Sequence, residues 1–134
     1  MKRILIILLL STVYFSGMAQ STEFIQLEIK IKEFINKGQW DEVLLLATDL
    51  HIADPNKGDG FYYTALAFLN LNDLNKSKEY AEKAGLLADE SLKSKLAQLQ
   101  KDIETKQTGL KIQTNAEKNQ ESGAKEKAVQ EWIK

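Results

Sequence analysis

The sequence predicts an all-α protein. From Phe24 to about Lys106, apolar residues recur every three or four positions, the spacing that places them on one face of a helix. No stretch shows the sustained alternation of apolar and polar residues that is typical of a half-buried strand. Proline, which interrupts helices, occurs once, at Pro55. These three observations predict a series of helices joined by short turns.

Two helices are predicted before Pro55. The first ends near Gly38, and its apolar face consists of Leu27, Ile31, Phe34 and Ile35. The second is expected to start near Asp41, a residue type that caps helix N-termini, and to stop at Pro55. Its apolar face consists of Val43, Leu44, Ala47, Leu50 and Ile52.

Three more helices are predicted after Pro55. The third runs over about 59–71, with Asp59 as candidate cap, and carries Phe61, Ala65, Phe68 and Leu69. The fourth runs over about 75–88, with Tyr80, Ala81, Ala84 and Leu87 facing inward. The fifth covers 92–106, where Leu92, Leu96, Leu99 and Ile103 form one apolar stripe opposite a solvated face.

A 34-residue period organises these helices. When the chain is compared with itself at this offset, large residues align with large ones, and small or turn residues align with their like. The aligned pairs are Leu27 with Phe61, Ile31 with Ala65, Phe34 with Phe68, Gly38 with Asn72, Trp40 with Leu74, Ala47 with Ala81 and Leu50 with Ala84. A period of this length indicates a repeated helix-turn-helix unit.

The chain resembles the tetratricopeptide repeat (TPR) family at these positions. Repeat one covers about 24–57, with the turn "GQWDE" and the closing Pro55; repeat two covers 58–91, with the turn "NDLNK" and Asp89 in place of the proline. Ile31 at a small-residue position and Ala47 and Ala81 at an aromatic one depart from the family pattern. The resemblance implies a two-repeat solenoid of about five packed helices over residues 20–106, in which 92–106 is the capping helix. The structural repeat positions are Leu27, Phe34, Gly38, Trp40, Ala47, Pro55, Phe61, Ala65, Phe68, Ala81 and Ala84.

The N-terminal residues are typical of an export signal. Lys2 and Arg3 precede the apolar run "ILIILLL", and "GMA" offers small residues for cleavage after Ala19. We therefore expect residues 1–19 to be removed, leaving an exported, periplasmic or secreted bacterial protein with no stable membrane span. An anchor formed by the uncleaved signal is the alternative.

Residues 107–134 are predicted to be a polar linker followed by a short amphipathic helix. "TNAEKNQESG" is polar throughout, whereas "AKEKAVQEWIK" regains helical spacing with Val129, Trp132 and Ile133 on one side. An isolated helix of about ten residues is marginal in water. This tail is therefore expected to fold back over the groove of the repeats, to dock on a second copy or a partner, or to remain free.

Composition and motifs argue against catalysis and cofactor binding. Loss of Lys2 and Arg3 lowers the 18 basic residues to 16 against 19 acidic ones, a near balance that does not favour nucleic acid binding. Cysteine is absent and His51 is the one histidine, so neither a catalytic triad nor a zinc site of the usual ligands is expected. The loop "DPNKGDG" (54–60) lacks the glycine and glutamate spacing of an EF-hand and is expected to be the joint between repeats. We expect neither metal nor cofactor.

The expected function is non-catalytic protein binding or scaffolding in the bacterial cell envelope. In TPR proteins the first helices of successive repeats line a concave groove, which implies that an unidentified protein partner binds there. The corresponding groove positions are Ile25, Glu28, Ile29, Lys32, Tyr62, Tyr63, Leu66 and Leu69. The alternative is a small structural subunit of a larger assembly that uses the ends of the stack and the Trp132 tail. Self-association remains open.

Overall fold

The computed structural model describes residues 22–133, and within that range the chain is helical, with no strand. Five helices follow one another: α1 (22–37), α2 (Trp40–Ala53), α3 (Asp59–Asn70), α4 (Leu74–Leu86) and α5 (Glu90–Trp132). The predicted all-α class is confirmed. The predicted signal peptide lies outside the described residues.

Two apolar clusters hold the helices together. The α1–α3 cluster contains Phe24, Ile31, Val43, Ala47, Leu50, Tyr63 and Ala67. The α3–α5 cluster contains Ala65, Leu69, Ala81, Ala84, Leu92, Leu96, Leu99 and Ile103. Tyr62 and Leu66 pack against both clusters, so α3 is the central helix of the molecule.

The turns between α1 and α2 and between α3 and α4 have the same backbone geometry, 34 residues apart. Gly38 has φ 69° and Asn72 has φ 64°, a left-handed conformation that glycine and asparagine adopt more readily than other residues. The Gln39 N–H donates to the Phe34 carbonyl oxygen at 3.0 Å, and the Asp73 N–H donates to the Phe68 carbonyl oxygen at 2.9 Å. The pairs Leu27/Phe61 and Phe34/Phe68, which were expected to align, are each partly buried, and Ala47 and Ala81 are both buried.

The predicted helix caps at Asp41 and Asp59 are wrong. Helix α2 is preceded by Gln39 and α3 by Gly58, which leaves both aspartates in the first helical turn, where a negative charge still interacts favourably with the helix dipole. Side-chain caps occur instead at the N-termini of α4 and α5. Asp73 accepts a hydrogen bond from the Lys76 N–H at 3.1 Å, and Asp89 accepts one from the Leu92 N–H at 2.8 Å.

Residues 54–58 connect α2 to α3, and two glycines, Gly58 in this connection and Gly60 in the first turn of α3, serve close packing. A Cβ on Gly58 would lie 2.6 Å from the Ala84 carbonyl oxygen, and one on Gly60 would lie 2.7 Å from the His51 Cβ. Asp54 accepts a hydrogen bond from the Asn56 N–H at 3.2 Å, so its carboxylate supports the turn. Pro55 is exposed and directly follows Asp54, the C-cap of α2.

Helix α5 differs from the sequence-based expectation because it continues without a break from Glu90 to Trp132. The predicted capping helix 92–106, polar linker and short terminal helix are all parts of this one helix. Every residue from Gln107 to Ile133 is exposed. The sequence of this part is rich in alanine, lysine, glutamate and glutamine, which favour helix, and extension of an existing helix avoids the nucleation penalty.

Three side chains assigned to the apolar interior are less buried than expected. Ile52 on α2 and Leu87 after α4 are exposed. Phe68 is half-buried, and its ring is stacked on that of Tyr80 with 5.6 Å between the ring centroids. The Lys76 Nζ lies 5.0 Å from the centroid of the Phe68 ring. The fully buried position in this region is Ser77, whose hydroxyl donates to the Ala65 carbonyl oxygen at 2.8 Å.

Candidate partner-binding groove

Helices α1, α3 and α5 contribute side chains to the same side of the molecule. Three polar contacts connect them there. The Tyr63 Oη donates to Glu28 Oε1 at 2.9 Å, the Lys106 Nζ donates to the Leu69 carbonyl oxygen at 2.8 Å, and the Lys95 Nζ lies 5.8 Å from the centroid of the Tyr62 ring. We call this side the groove face and define it by Glu28, Lys32, Tyr62, Leu66, Lys95, Gln98 and Asp102.

The groove face contains a hollow between α3 and α5. The hollow has a volume of about 300 Å³, with Tyr62, Leu66 and Leu99 as its apolar and aromatic lining. Its polar lining consists of Ser94, Lys95, Gln98 and Asp102. The hollow therefore combines a small apolar floor with a mixed-charge rim.

Two of the predicted groove residues, Tyr63 and Leu69, are not on the surface. Tyr63 is buried in the α1–α3 cluster and Leu69 in the α3–α5 cluster, with 4% and 6% of their surfaces exposed. Tyr63 is one residue after Tyr62 and therefore points about 100° away from it around the helix. Leu69 lies on the same helix face as Tyr62 and Leu66, but it is buried because it packs in the α3–α5 cluster. The expectation that these two residues form exposed contacts is therefore wrong.

The predicted groove residues of α1 lie at the surface. Ile25 and Ile29 are 50% and 54% exposed, and Lys32 is exposed. Glu28 is half-buried beside them, with its Oε1 3.3 Å from the Lys32 Nζ. These residues extend the groove face with two aliphatic side chains and one lysine.

Glu28 is held in its ionised form. Partial burial by itself opposes ionisation, but the hydrogen bond from Tyr63 and the nearby charge of Lys32 outweigh it and keep the pKa of Glu28 below its ordinary value. Burial, together with the same hydrogen bond, raises the pKa of the Tyr63 hydroxyl, which therefore stays protonated and remains a donor. The Glu28–Tyr63 contact joins α1 to α3 at the edge of the groove.

Asp59 contributes a second carboxylate near this face. Burial raises its pKa above the ordinary aspartate value, and the positive charge of Lys95 opposes that rise. Lys95 also lowers the pKa of Glu28 by its positive charge. This lysine of α5 therefore interacts electrostatically with one carboxylate on α1, Glu28, and one on α3, Asp59.

The sequence-based assignment missed the contribution of α5 to the groove. The sequence predicts a capping helix with an apolar stripe and one solvated face, and no predicted groove residue lies on this helix. The 34-residue offset could have predicted this contribution, because it aligns Ala65 with Leu99 and Leu69 with Ile103. All four of these residues are buried. Helix α5 therefore packs against α3 with residues that the 34-residue offset relates to buried residues of α3.

The tail residues make no contact with this groove. Val129, Trp132 and Ile133 are 58%, 93% and 80% exposed on the C-terminal part of α5. Of the three expected arrangements, folding back over the groove is not present in this structure. The groove face is open to solvent.

Among the described residues, His51 does not belong to a group of side chains that could hold a metal ion. Its ring packs on Phe61 with centroids 4.2 Å apart, and its buried Nδ1 has no hydrogen-bond partner in this part of the chain. A search of residues 22–133 finds no group of three histidine, cysteine, aspartate or glutamate side chains positioned to hold a metal ion.

Comparisons with protein-family models, curated proteins and solved structures find no match to this chain. Among the helices of residues 22–133, none is both long and apolar enough to cross a membrane.

Proposed function

We propose that this protein is a non-catalytic protein-binding module that holds a segment of a partner protein against its groove face. The observation that carries the proposal is the hollow between α3 and α5, which has an apolar floor of Tyr62, Leu66 and Leu99. A floor of this kind surrounded by polar groups suits a partner side chain of aromatic or aliphatic type.

The electrostatics of the groove face also suit a peptide better than a single strongly charged ligand. Lys32 and Lys95 alternate with Glu28 and Asp102, so both signs of charge are available to a polar backbone and mixed side chains. Such a pattern contributes to specificity more than to total affinity.

The fold that we propose is a TPR-like solenoid of two repeats closed by α5. Its support is the 34-residue correspondence of turns, hydrogen bonds and buried positions between the α1–α2 pair and the α3–α4 pair. In such a stack, α1, α3 and α5 line the concave side. The proposed compartment is the bacterial cell envelope or the extracellular medium, reached through the signal in residues 1–19.

A matched pair of glutamines on α5 tests the groove. Gln98 lines the hollow between α3 and α5, whereas Gln100 lines a different hollow between α4 and α5. Both side chains are exposed, so replacement of either by arginine is expected to leave the fold intact. Circular dichroism of the two variants checks this point.

We expect Gln98→Arg to abolish capture of partner proteins from an envelope extract of the source cells, and Gln100→Arg to leave it unchanged. The proteins captured by the unaltered chain and by each variant are compared by mass spectrometry. Equal capture by the two variants would refute binding in the groove.

The alternative is a small structural subunit that attaches through its C-terminal segment. One observation favours it, namely the almost complete exposure of Trp132 on the part of α5 that follows Lys106, where every described residue is exposed. In that case, Trp132→Ala removes the captured protein and Gln98→Arg does not. The same capture experiment therefore separates the two functions.

A further inference from the structure

The C-terminal half of α5 carries a face with a two-fold symmetric pattern. At about 100° per residue, seven positions fall within an arc of about 80° on the helix surface. They are Leu110, Thr114, Glu117, Glu121, Lys125, Ala128 and Trp132. Their spacing is the same when read from either end, with Glu121 at the centre. We call these residues the α5 seam.

The residue types on the α5 seam are complementary when two copies run in opposite directions. Leu110 of one copy then lies level with Trp132 of the other, and Thr114 lies level with Ala128. Glu117 lies level with Lys125, so each chain contributes one acid and one base to two equivalent pairs. A parallel alignment would instead place Glu117 on Glu117 and Lys125 on Lys125, which is repulsive.

The centre of the α5 seam is also balanced in charge. The Lys125 Nζ lies 2.7 Å from Glu121 Oε1 within the same helix, so the two Glu121 side chains that meet at the symmetry axis each carry a neighbouring lysine. Lys118, beside Glu117, completes a segment of two acids and two bases between residues 117 and 125.

The exposed apolar groups lie at the two ends of the α5 seam. Leu110 is 49% exposed and Trp132 is 93% exposed, and neither has a contact with the body of the protein. Burial of each against its counterpart removes apolar surface from water at two separate places, and this favours association. The small side chains of Thr114 and Ala128 allow the two helices to approach between them.

We propose that two copies of this chain associate through an antiparallel pairing of their α5 seams, centred on Glu121. The dimer leaves both groove faces free at opposite ends, so its existence is independent of the groove function. It provides a reason for a long helix whose residues 107–133 are all exposed beyond the helical body.

Single introduced cysteines test this arrangement, because the natural sequence has none. In the antiparallel pair, Glu121→Cys places its thiol next to the same thiol of the second copy. Positions 114 of the two copies lie about 20 Å apart, from the helical rise of 1.5 Å per residue. We expect the purified Glu121→Cys protein to form a disulfide-linked dimer on mild oxidation and Thr114→Cys not to do so.

A mixture of Thr114→Cys and Ala128→Cys proteins is expected to form a mixed disulfide, although neither protein alone links to itself. Self-linking of Thr114→Cys and of Glu121→Cys to the same extent would indicate a parallel pair and overturn the proposal. Absence of linkage in every case would also overturn it.

Charge reversal gives a second, reversible test. Glu117→Lys and Lys125→Glu should each sediment as a monomer, whereas an equimolar mixture of the two should regain the dimer mass in sedimentation equilibrium. Gln98→Arg should leave the dimer unchanged. Loss of the dimer with Gln98→Arg would show that the tail docks in the groove of a second copy, and would contradict the seam.

Discussion

At the scale of single residues, the side chain that differs most from its sequence-based role is Tyr63. It was assigned to an exposed groove, yet its ring is buried and only its hydroxyl reaches a polar partner, Glu28. The 34-residue period places Tyr63 opposite Ile29 in the first repeat, and Ile29 is 54% exposed. A period predicts which residues correspond, but burial also depends on which helices cover them. Tyr63 packs in the cluster that α1 and α2 form with α3, whereas no described helix precedes α1 to cover Ile29.

The Glu28–Tyr63 contact makes the stability of the fold depend on pH. The pKa of Glu28 is lower in the folded protein than its ordinary value of 4.5. Its contribution is therefore fully present above that value and is lost as the pH falls through the folded pKa, below 4.5. We expect Tyr63→Phe to lower the free energy of unfolding by about 1 kcal/mol at pH 7. The deficit should shrink below pH 4.5 in chemical denaturation series.

Tyr62→Phe is the control for this prediction. The Tyr62 hydroxyl makes no hydrogen bond with the described residues. Its removal should therefore leave the decrease in the free energy of unfolding below pH 4.5 unchanged. A deficit for Tyr63→Phe that stays constant from pH 7 to pH 3 would mean that Glu28 is not the group that titrates.

At the scale of helices, sequence reasoning located the elements well and their ends less well. The apolar period identified α1 to α4 because each of these helices has a buried face. The same reasoning failed for residues 107–123, which were expected to form a polar linker, because a helix segment with no buried face shows no clear apolar period. It also failed at the N-termini of α2 and α3, where the residue that precedes each helix makes no side-chain cap.

The close approach of α2 and α3 provides a test at this scale. A Cβ on Gly60 would lie 2.8 Å from the Ala47 carbonyl oxygen and 2.9 Å from the His51 backbone nitrogen, neither of which can move independently of α2. We expect Gly60→Ala to lower the free energy of unfolding by about 1–3 kcal/mol. Urea denaturation followed by circular dichroism measures this change.

Gly85→Ala is the matched control, since the space around a Cβ at Gly85 is empty to 4 Å. Alanine is favoured over glycine within a helix, so this variant should be more stable than the unaltered chain by about 0.5–1 kcal/mol. If both variants shifted stability in the same direction and by the same amount, helix propensity and not the α2–α3 contact would explain the effect of Gly60.

At the scale of the whole molecule, the two apolar clusters are coupled through α3. Tyr62 and Leu66 pack against both clusters, and the backbone of α3 carries buried residues of each. Repeat proteins gain stability from the contacts between neighbouring units, because one helix pair cannot bury its apolar face alone. The coupling of the clusters therefore decides whether the protein unfolds as one unit.

We expect a single unfolding transition. A substitution in either cluster should shift the midpoints of all spectroscopic probes together. Leu50 belongs to the α1–α3 cluster and Leu99 to the α3–α5 cluster, with 0% and 2% of their surfaces exposed. Each change to alanine should lower the free energy of unfolding by about 2–5 kcal/mol. Trp40 packs against the α1–α3 cluster, so its fluorescence in a Trp132→Phe background reports unfolding at that end.

The decisive comparison is Leu99→Ala observed through Trp40. If the molecule is one cooperative unit, the Trp40 fluorescence midpoint in urea should fall together with the midpoint from circular dichroism, although Leu99 lies in the other cluster. Ile112→Ala is the control, because Ile112 lies on α5 beyond both clusters and outside the α5 seam, and the change should move neither midpoint. A Trp40 midpoint that stays in place while the circular dichroism midpoint falls would show that the two clusters unfold separately. In that case α3 would not transmit stability between the helix pairs, and the groove between α3 and α5 could open while α1 and α2 remain folded.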